Sequence, residues 1–181
     1  MAEHRVIESA ITALTAYARS IANGSDAPRA DLAELVSFLQ DYADAHHHGK
    51  EEDILFRAMA DIGMPVDSGP LAVMLAEHAE GRRLTSSLSN ISASEGEWNK
   101  EQKRRLLLDA TSYARLLNAH IQKEDRVLYP MAAQMIPNDV WQKIESEFFA
   151  FQSAAQRLGR AARLEQMTRL LVSRYVADDV A

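Results

Sequence analysis

The stretches HHHGKEEDILF, residues 46–56, and HIQKEDRVLYP, residues 120–130, each carry a histidine that is followed four residues later by a glutamate. The pairs are His47 with Glu51 and His120 with Glu124. Residues four apart lie one turn apart on the same face of a helix. Two such pairs on apolar helix faces predict a buried, carboxylate-bridged pair of metal ions at the centre of a four-helix bundle.

Two further histidines fall on apolar stripes of their own helices. His4 is in phase with Ile7 and Ile11, and His78 is in phase with Leu84. Each of four predicted helices therefore contributes one histidine to the interior. The helices are predicted at about 3–22, from about 27 to the break GMPVDSGP, at about 69–91 and at about 100–134. Their short connections favour an all-α, up-down-up-down four-helix bundle.

Two more helical stretches are predicted beyond Pro137, at roughly 139–155 and 157–176. We therefore divide the chain into a metal-binding bundle, residues 1–136, and a C-terminal helical extension packed on it, residues 137–181. The last stretch has a basic face, formed by Arg157, Arg160, Arg163, Arg169 and Arg174. This face is interpreted as a solvated surface, and a homodimer contact through the C-terminal helices is the alternative.

Composition excludes several classes of function. The chain of 181 residues has no cysteine, which excludes disulfides, iron–sulfur clusters and thiol nucleophiles. A net charge of −6 gives no electrostatic reason to expect nucleic-acid binding. The sequence has neither a signal-like N-terminus nor an apolar run long enough to span a bilayer. We therefore expect a cytoplasmic protein with no nucleic-acid or membrane partner.

Helical phase distinguishes between neighbouring candidates in the first stretch. Counting about 100° per residue from Ala43 as zero places His47 at about 40° and Glu51 at about 80°. His48, at about 140°, and Glu52, at about 180°, are therefore predicted to point away from the interior.

Other polar residues flank the stripes. His46 and Glu8 are predicted at the edge of the interior or in contact with a metal ligand, and Glu77 is predicted to be solvated. In the fourth helix Glu124 continues the buried stripe that runs from Leu117 and His120 to Val127, so it is preferred to Asp125, which stays an alternative ligand.

The set of candidate ligands comprises four histidines and two glutamates: His4, His47, Glu51, His78, His120 and Glu124. Burial of unpaired carboxylates and imidazoles costs several kcal/mol per group, and a bound cation removes that cost. Nitrogen and oxygen ligands without thiolate favour two iron ions, with manganese as an alternative, over a structural zinc ion.

The chain resembles the hemerythrin-like proteins, the HHE cation-binding family, over roughly residues 3–135. The resemblance is carried by four segments in order: EHRVIE, HHHGKEEDILF, MLAEHAEGRRL and HIQKEDRVLYP. It implies a four-helix bundle around two non-haem iron ions with an oxo or hydroxo bridge and a vacant position. Members bind dioxygen, sense oxygen, iron or redox state, handle nitric oxide or decompose peroxide.

One position departs from the oxygen-carrying members of that family. They have two histidines on the third helix, and Met74 stands where the first would be, one turn before His78. Met74 is predicted to fill space. Two histidines per metal would form a symmetric, open centre, which favours oxidant handling or sensing over oxygen transport. A catalase-like activity is consistent with this pattern. A non-enzymatic module that binds iron or senses iron or redox state is consistent with it as well.

Overall fold

The computed structural model describes residues 2–157, 166 and 169–175, and within these residues all regular structure is helical. The prediction of an all-α fold is confirmed. Helix α1 is Ala2–Ala22, α2 covers 29–61, α3 is Gly69–Ser92, α4 covers 100–135, α5 is Asn138–Arg157 and α6 covers 169–175. Helix α2 begins two residues later than predicted.

Helices α1 to α4 form an antiparallel bundle in which each helix packs on its two neighbours. At one end of the bundle the first turn of α2 meets the last turn of α3, where the Arg29 guanidinium donates to the Ile91 carbonyl over 3.0 Å. At the other end, Leu71 near the start of α3 packs in the same cluster as Met59 near the end of α2. This arrangement is the predicted up-down-up-down bundle.

Local sequence determines where the bundle helices begin and end. Gly24 has a φ of +100° and follows α1, a left-handed conformation that glycine adopts without steric cost. Asn99 begins α4 with a capping box, since its side chain accepts from the Gln102 amide over 2.9 Å and the Gln102 side chain accepts in return.

Both helices that carry a histidine–glutamate pair contain π-helical turns. These turns cover Leu39–His48 and Glu51–Phe56 in α2 and Glu124–Leu128 in α4. A π-helical turn includes one more residue than an α-helical turn, so it rotates the faces presented by the residues around it. In α4, Val127, which was predicted on the buried stripe, is 50% exposed, whereas Leu128 is buried. The prediction for Val127 is therefore wrong.

The core consists of two apolar clusters at opposite ends of the bundle. One contains Tyr17, Leu35 and Leu88, and the other contains Met59 and Leu128. The polar residues described below lie between these clusters. Helix α5 packs on the second cluster through Ile144.

Helix α6 packs on the first cluster through Leu171, and Arg174 and Tyr175 bind Asp31 of α2. Of the predicted basic face, Arg160, Arg163 and the side chain of Arg157 lie outside the described residues. None of the described helices combines the length and apolarity that a membrane crossing requires.

Candidate metal centre

All four bundle helices contribute imidazole or carboxylate groups to one buried layer. Two groups of potential ligand atoms lie there, with the atoms of each group within 4.8 Å of one another. The first group is His4, His47, Glu51 and Glu124, and the second is His48, Glu51, His78 and His120. The six residues predicted from the sequence are thus brought together, and His48 joins them.

Each imidazole in the layer has its Nδ1 atom next to a carboxylate. The pairs and distances are His4 to Asp125, 2.9 Å; His47 to Glu3, 2.9 Å; His48 to Asp44, 3.3 Å; His78 to Glu52, 2.6 Å; and His120 to Glu77, 2.8 Å. A carboxylate accepts, so each Nδ1 donates, and this pairing is the usual support of metal-binding histidines. The Nε2 atoms are left for the centre of the layer.

The Nε2 atoms approach one another closely. His4 Nε2 lies 3.1 Å from His47 Nε2, and His78 Nε2 lies 3.0 Å from His120 Nε2. Burial lowers the pKa of His47 to about 4 and that of His78 to about 2, so both rings are neutral near pH 7 and their Nε2 atoms carry lone pairs. A cation bound between the facing nitrogen atoms would satisfy these buried lone pairs.

The spacing of these nitrogen atoms tests what kind of ion fits. Two nitrogen ligands that are each about 2.1 Å from one ion and 3.0 Å apart subtend about 90° at that ion. That angle joins neighbouring ligands of an octahedral site, whereas tetrahedral ligands would lie further apart. The donor set therefore fits a first-row ion with five or six ligands better than a structural zinc ion.

Two carboxylates connect the two groups. Glu124 Oε1 lies 2.8 Å from His120 Nε2, and Glu124 Oε2 lies 3.4 Å from His4 Nε2. Glu51 Oε2 lies 3.7 Å from His47 Nε2 and 3.6 Å from His78 Nε2. Glu51 Oε2, both Glu124 oxygens and His48 Nε2 are buried without a hydrogen bond. Such unsatisfied atoms are rare in folded proteins, and bound metal ions would satisfy them.

The two carboxylates differ in protonation when no cation is bound. Burial and repulsion by Glu124 raise the pKa of Glu51 well above its usual value. Burial also acts to raise the pKa of Glu124, but the imidazoles of His120 and His4 hold it below its usual value. Without bound cations the layer therefore carries less negative charge than two ionised glutamates would give it.

His48 is the main correction to the sequence analysis. The prediction that it points away is wrong, because His48 is buried and its ring stacks on that of His78 with centroids 3.8 Å apart. The π-helical turns in α2 bring both His47 and His48 to the interior. The groups thus hold two and three imidazoles, where the sequence predicted two and two.

Two acidic residues also differ from their predictions. Glu52, which was predicted to point away, accepts from His78, and Glu77, which was predicted to be solvated, accepts from His120 and pairs with Lys123. Asp125 supports His4 from outside both groups. Glu8 lies at the edge with Arg5, and Met74 packs in the second apolar cluster.

Tyr129 is a site residue that sequence reasoning missed. Its hydroxyl donates to Glu51 Oε1 over 2.5 Å and lies 3.3 Å from His4 Nε2. Burial and the neighbouring Glu51 and Glu124 raise its pKa, so the phenol stays a neutral donor. Its position five residues after Glu124, within the second quoted stretch, was the available signal, but only the π-helical turn Glu124–Leu128 brings it to the site.

Cations at the surface hold the supporting carboxylates in place. Arg82 donates to Asp44 Oδ1 over 2.8 Å and to Glu52 Oε1 over 2.6 Å, and so connects the supports of His48 and His78. Lys50 pairs with Glu3, and Lys123 pairs with Glu77. Charge-assisted contacts of this kind fix the orientation of the carboxylates and, through them, of the rings.

A pocket of about 270 Å³ reaches the layer from the side of the first group. Its inner end is formed by His47, Glu51 and Tyr129. The other lining residues are Glu3, Lys50, Leu55, Ala132, Trp141 and Phe148. On the side of the second group, Phe56 stacks on His78 with ring centroids 5.7 Å apart. The pocket therefore meets the group that has fewer imidazoles.

Comparison with known proteins places this geometry in context. The profile of the family described as Hemerythrin HHE cation binding domain matches residues 1–132. Uncharacterized proteins of Mycobacterium tuberculosis and Mycobacterium bovis are 22% identical over 130 residues, which is 72% of this chain and 50% of theirs. The chain thus spans about half the length of these curated relatives. No solved structure gives a significant match.

Proposed function

The chain belongs to the hemerythrin family of HHE cation-binding domains, and from this premise we propose that it holds two non-haem iron ions and binds dioxygen, peroxide or nitric oxide beside them. One ion would be held by His4 and His47, and the other by His48, His78 and His120. Glu51 and Glu124 would be shared by both ions.

The observation that carries this proposal is the position of the two glutamates. Each has an oxygen within 4 Å of imidazole nitrogens from both groups, and their inward oxygens have no hydrogen bond. A single ion would leave one group of lone pairs unsatisfied. Two ions that share both carboxylates satisfy all of them, as in other carboxylate-bridged helix bundles.

The donor set supports iron, and manganese is the alternative. Imidazole and carboxylate ligands without thiolate suit both metals, and the chain offers four ligand residues to one ion and five to the other. Bound iron would supply one-electron chemistry toward oxygen species, which the protein itself lacks. The residues of this chain would orient the ligands, exclude bulk water and offer the hydroxyl of Tyr129 beside Glu51.

The small ligand would bind at the group that contains His4 and His47. This group has two imidazoles, so fewer of its positions are filled by nitrogen, and the pocket opens at His47 and Glu51. The other group has a third imidazole and is covered by Phe56. Reversible dioxygen binding was disfavoured because two imidazoles per ion were predicted, which would form a symmetric centre. The two groups hold two and three imidazoles, so this argument against dioxygen binding no longer applies.

Metal content and azide binding test the proposal. Protein purified without a tag and loaded with iron should hold close to two ions per chain and develop a visible absorption band when azide is added. Glu51→Ala combined with Glu124→Ala should lose the ions and the band, while Glu8→Ala, at the edge, should keep both. Less than one ion per chain after loading would refute the metal site.

Oxygen evolution from hydrogen peroxide separates the enzyme from its alternative. A peroxide-decomposing centre requires the iron-loaded protein to evolve oxygen faster than the double glutamate variant. Equal rates, with iron bound in the unaltered protein, would instead identify a non-enzymatic iron-binding or redox-sensing module.

A further inference from the structure

The pocket beside Glu51 has apolar walls that come in part from outside the family domain. Leu55 and Ala132 form one part of the lining, and Trp141 and Phe148 of α5 form another. The family match ends at residue 132, so both aromatic residues belong to the C-terminal extension of this chain. A bundle that binds only diatomic ligands has no evident need for two added aromatic rings.

The pocket is larger than dioxygen or peroxide requires. Its volume is about 270 Å³, whereas an apolar cavity of about 150 Å³ is sufficient to bind benzene. A molecule with a substituted benzene ring therefore fits in size. Apolar and aromatic walls with a few polar groups at one end are typical of small-molecule sites.

The charges in the pocket favour a neutral ligand. Lys50, the one cation among the described lining residues, is paired with Glu3. Glu3 in turn accepts from His47 and contacts His46 at 3.3 Å. An anionic ligand would find no unpaired cation at these walls, and it would approach the carboxylates of Glu3 and Glu51.

The hydrogen bonds at the inner end select the head group of that ligand. The Tyr129 hydroxyl already donates its proton to Glu51 Oε1. The phenol oxygen still offers its lone pairs as acceptors. A ligand that reaches them must therefore bring a donor, and an O–H group does so without adding charge.

We propose that this pocket binds a neutral organic molecule of about the size of a substituted benzene, with its apolar body against Leu55, Trp141 and Phe148 and its O–H group directed at the Tyr129 oxygen beside Glu51. Alcohols, phenols and organic hydroperoxides share this chemistry. The inference goes beyond the proposed function, because the apolar walls and the Tyr129 oxygen are present whichever ion the layer holds.

Calorimetric titration of the purified protein tests the proposal with four probes that share a benzene ring. The probes are 2-phenyl-2-propanol, cumene hydroperoxide, cumene and benzoate. The alcohol, the hydroperoxide or both should bind at least about tenfold more tightly than cumene and benzoate, a difference of about 1.4 kcal/mol. Preference for one of the first two identifies the source of the O–H group. Equal or tighter binding of benzoate or cumene would overturn the proposal.

Variants locate the site and keep its test separate from that of the metal centre. Phe148→Ala should weaken binding about tenfold, whereas Phe149→Ala, which alters an exposed neighbour on the same helix, should not. Ala132→Leu should block the pocket, and circular dichroism will show whether it folds. Equal effects of the two phenylalanine variants would overturn the proposal. Metal content is measured in parallel, so a protein without iron refutes the proposed function and leaves this binding result intact.

Discussion

His78 and His120, on neighbouring helices, face each other with their Nε2 atoms 3.0 Å apart while Glu52 and Glu77 hold their Nδ1 atoms from behind. The carboxylates fix both rings as donors at Nδ1, so both Nε2 atoms stay turned toward the centre of the layer. The protein thus maintains an arrangement in which one cation would contact both nitrogens. His4 and His47 repeat it at 3.1 Å.

Removal of the metal ions should destabilise the whole bundle. An ion present at about 100 times its dissociation constant contributes about 2.7 kcal/mol per site, and about 1 kcal/mol shifts Tm by roughly 2–4 °C in a chain of this size. Two sites therefore predict a decrease in Tm of about 10 °C or more on chelation. Differential scanning calorimetry before chelation, after chelation and after reloading measures it. An unchanged Tm in a protein shown to have lost its metal would contradict the prediction.

Neighbouring histidines in the first stretch provide a matched pair of variants. His48→Ala removes a buried imidazole whose Nε2 has no hydrogen bond, so the second ion should bind more weakly and metal content should fall toward one ion per chain. His46→Ala removes a ring that contacts Glu3 and Phe151 and should leave both ions in place. Elemental analysis after dialysis decides between them, and equal metal loss from both variants would place His48 outside the site.

Adjacent arginines on α3 test the outer support of the same ion. Arg82→Gln frees Asp44 and Glu52, which hold His48 and His78, so affinity for one ion should fall by about 10- to 100-fold. Arg83→Gln breaks only a surface pair with Glu80 and should leave the affinity unchanged. Competition with a chromophoric chelator measures both, and a normal affinity in Arg82→Gln would mean that the rings need no such support.

Acid should destabilise the metal-free protein. Burial lowers the pKa of His47 to about 4, whereas an imidazole in an unfolded chain has a pKa of about 6.5. Between these values the unfolded state binds protons that the folded state does not, so the free energy of unfolding decreases as pH falls from 6.5 to 4, on the order of 3 kcal/mol for His47 alone. The pKa values of His48 and His78 are lowered as well.

One histidine acts in the opposite sense. Burial acts to lower the pKa of His120, but Glu124 and Glu77 raise it, so His120 contributes stability that is present below pH 6.5 and is lost as pH rises through its folded pKa. Glu51, whose pKa is raised, acts in the same sense as His120, and we expect the three lowered histidines to outweigh these two groups. Urea unfolding of the metal-free protein at pH 7.5 and pH 5 should show the lower stability at pH 5, and His47→Gln should reduce the difference.

Apolar residues recur in the sequence at close to the spacing of a long amphipathic helix, and this periodicity predicted the bundle. Ile7, Ile11 and Leu84 are buried as their stripes require. The inventory of imidazoles and carboxylates on those stripes likewise indicated a metal layer. Both inferences rest on spacing within one helix, which the sequence contains in full.

Two features could not be predicted in that way. The count of 100° per residue assumes a uniform α-helix, and the π-helical turns in α2 and α4 break that assumption, so the phases of His48 and Val127 were wrong. Four of the five carboxylate supports lie on neighbouring helices, as with Glu3 beside His47 and Glu77 beside His120. Such pairs depend on the rotation and height of one helix against another, which spacing along a single helix does not determine.

Tyr129→Phe should separate ligand binding from metal binding. The variant keeps the ring, which stacks near His4 with centroids 5.8 Å apart, and removes the proton donated to Glu51 Oε1. Metal content should therefore stay the same. A hydrogen bond to a charged group contributes about 1.5–3 kcal/mol, so the azide dissociation constant or the rate of peroxide decomposition should change by about tenfold or more.

Tyr17→Phe is the matched control for that variant. It removes a hydroxyl that donates to the Pro28 carbonyl over 3.0 Å in the other core cluster. It should lower stability by about 1 kcal/mol and leave azide binding and peroxide decomposition unchanged. Because Tyr129 contacts both Glu51 and the pocket, a Tyr129→Phe protein with two ions and unaltered azide binding would show that small ligands reach the layer by another route and do not bind beside Glu51.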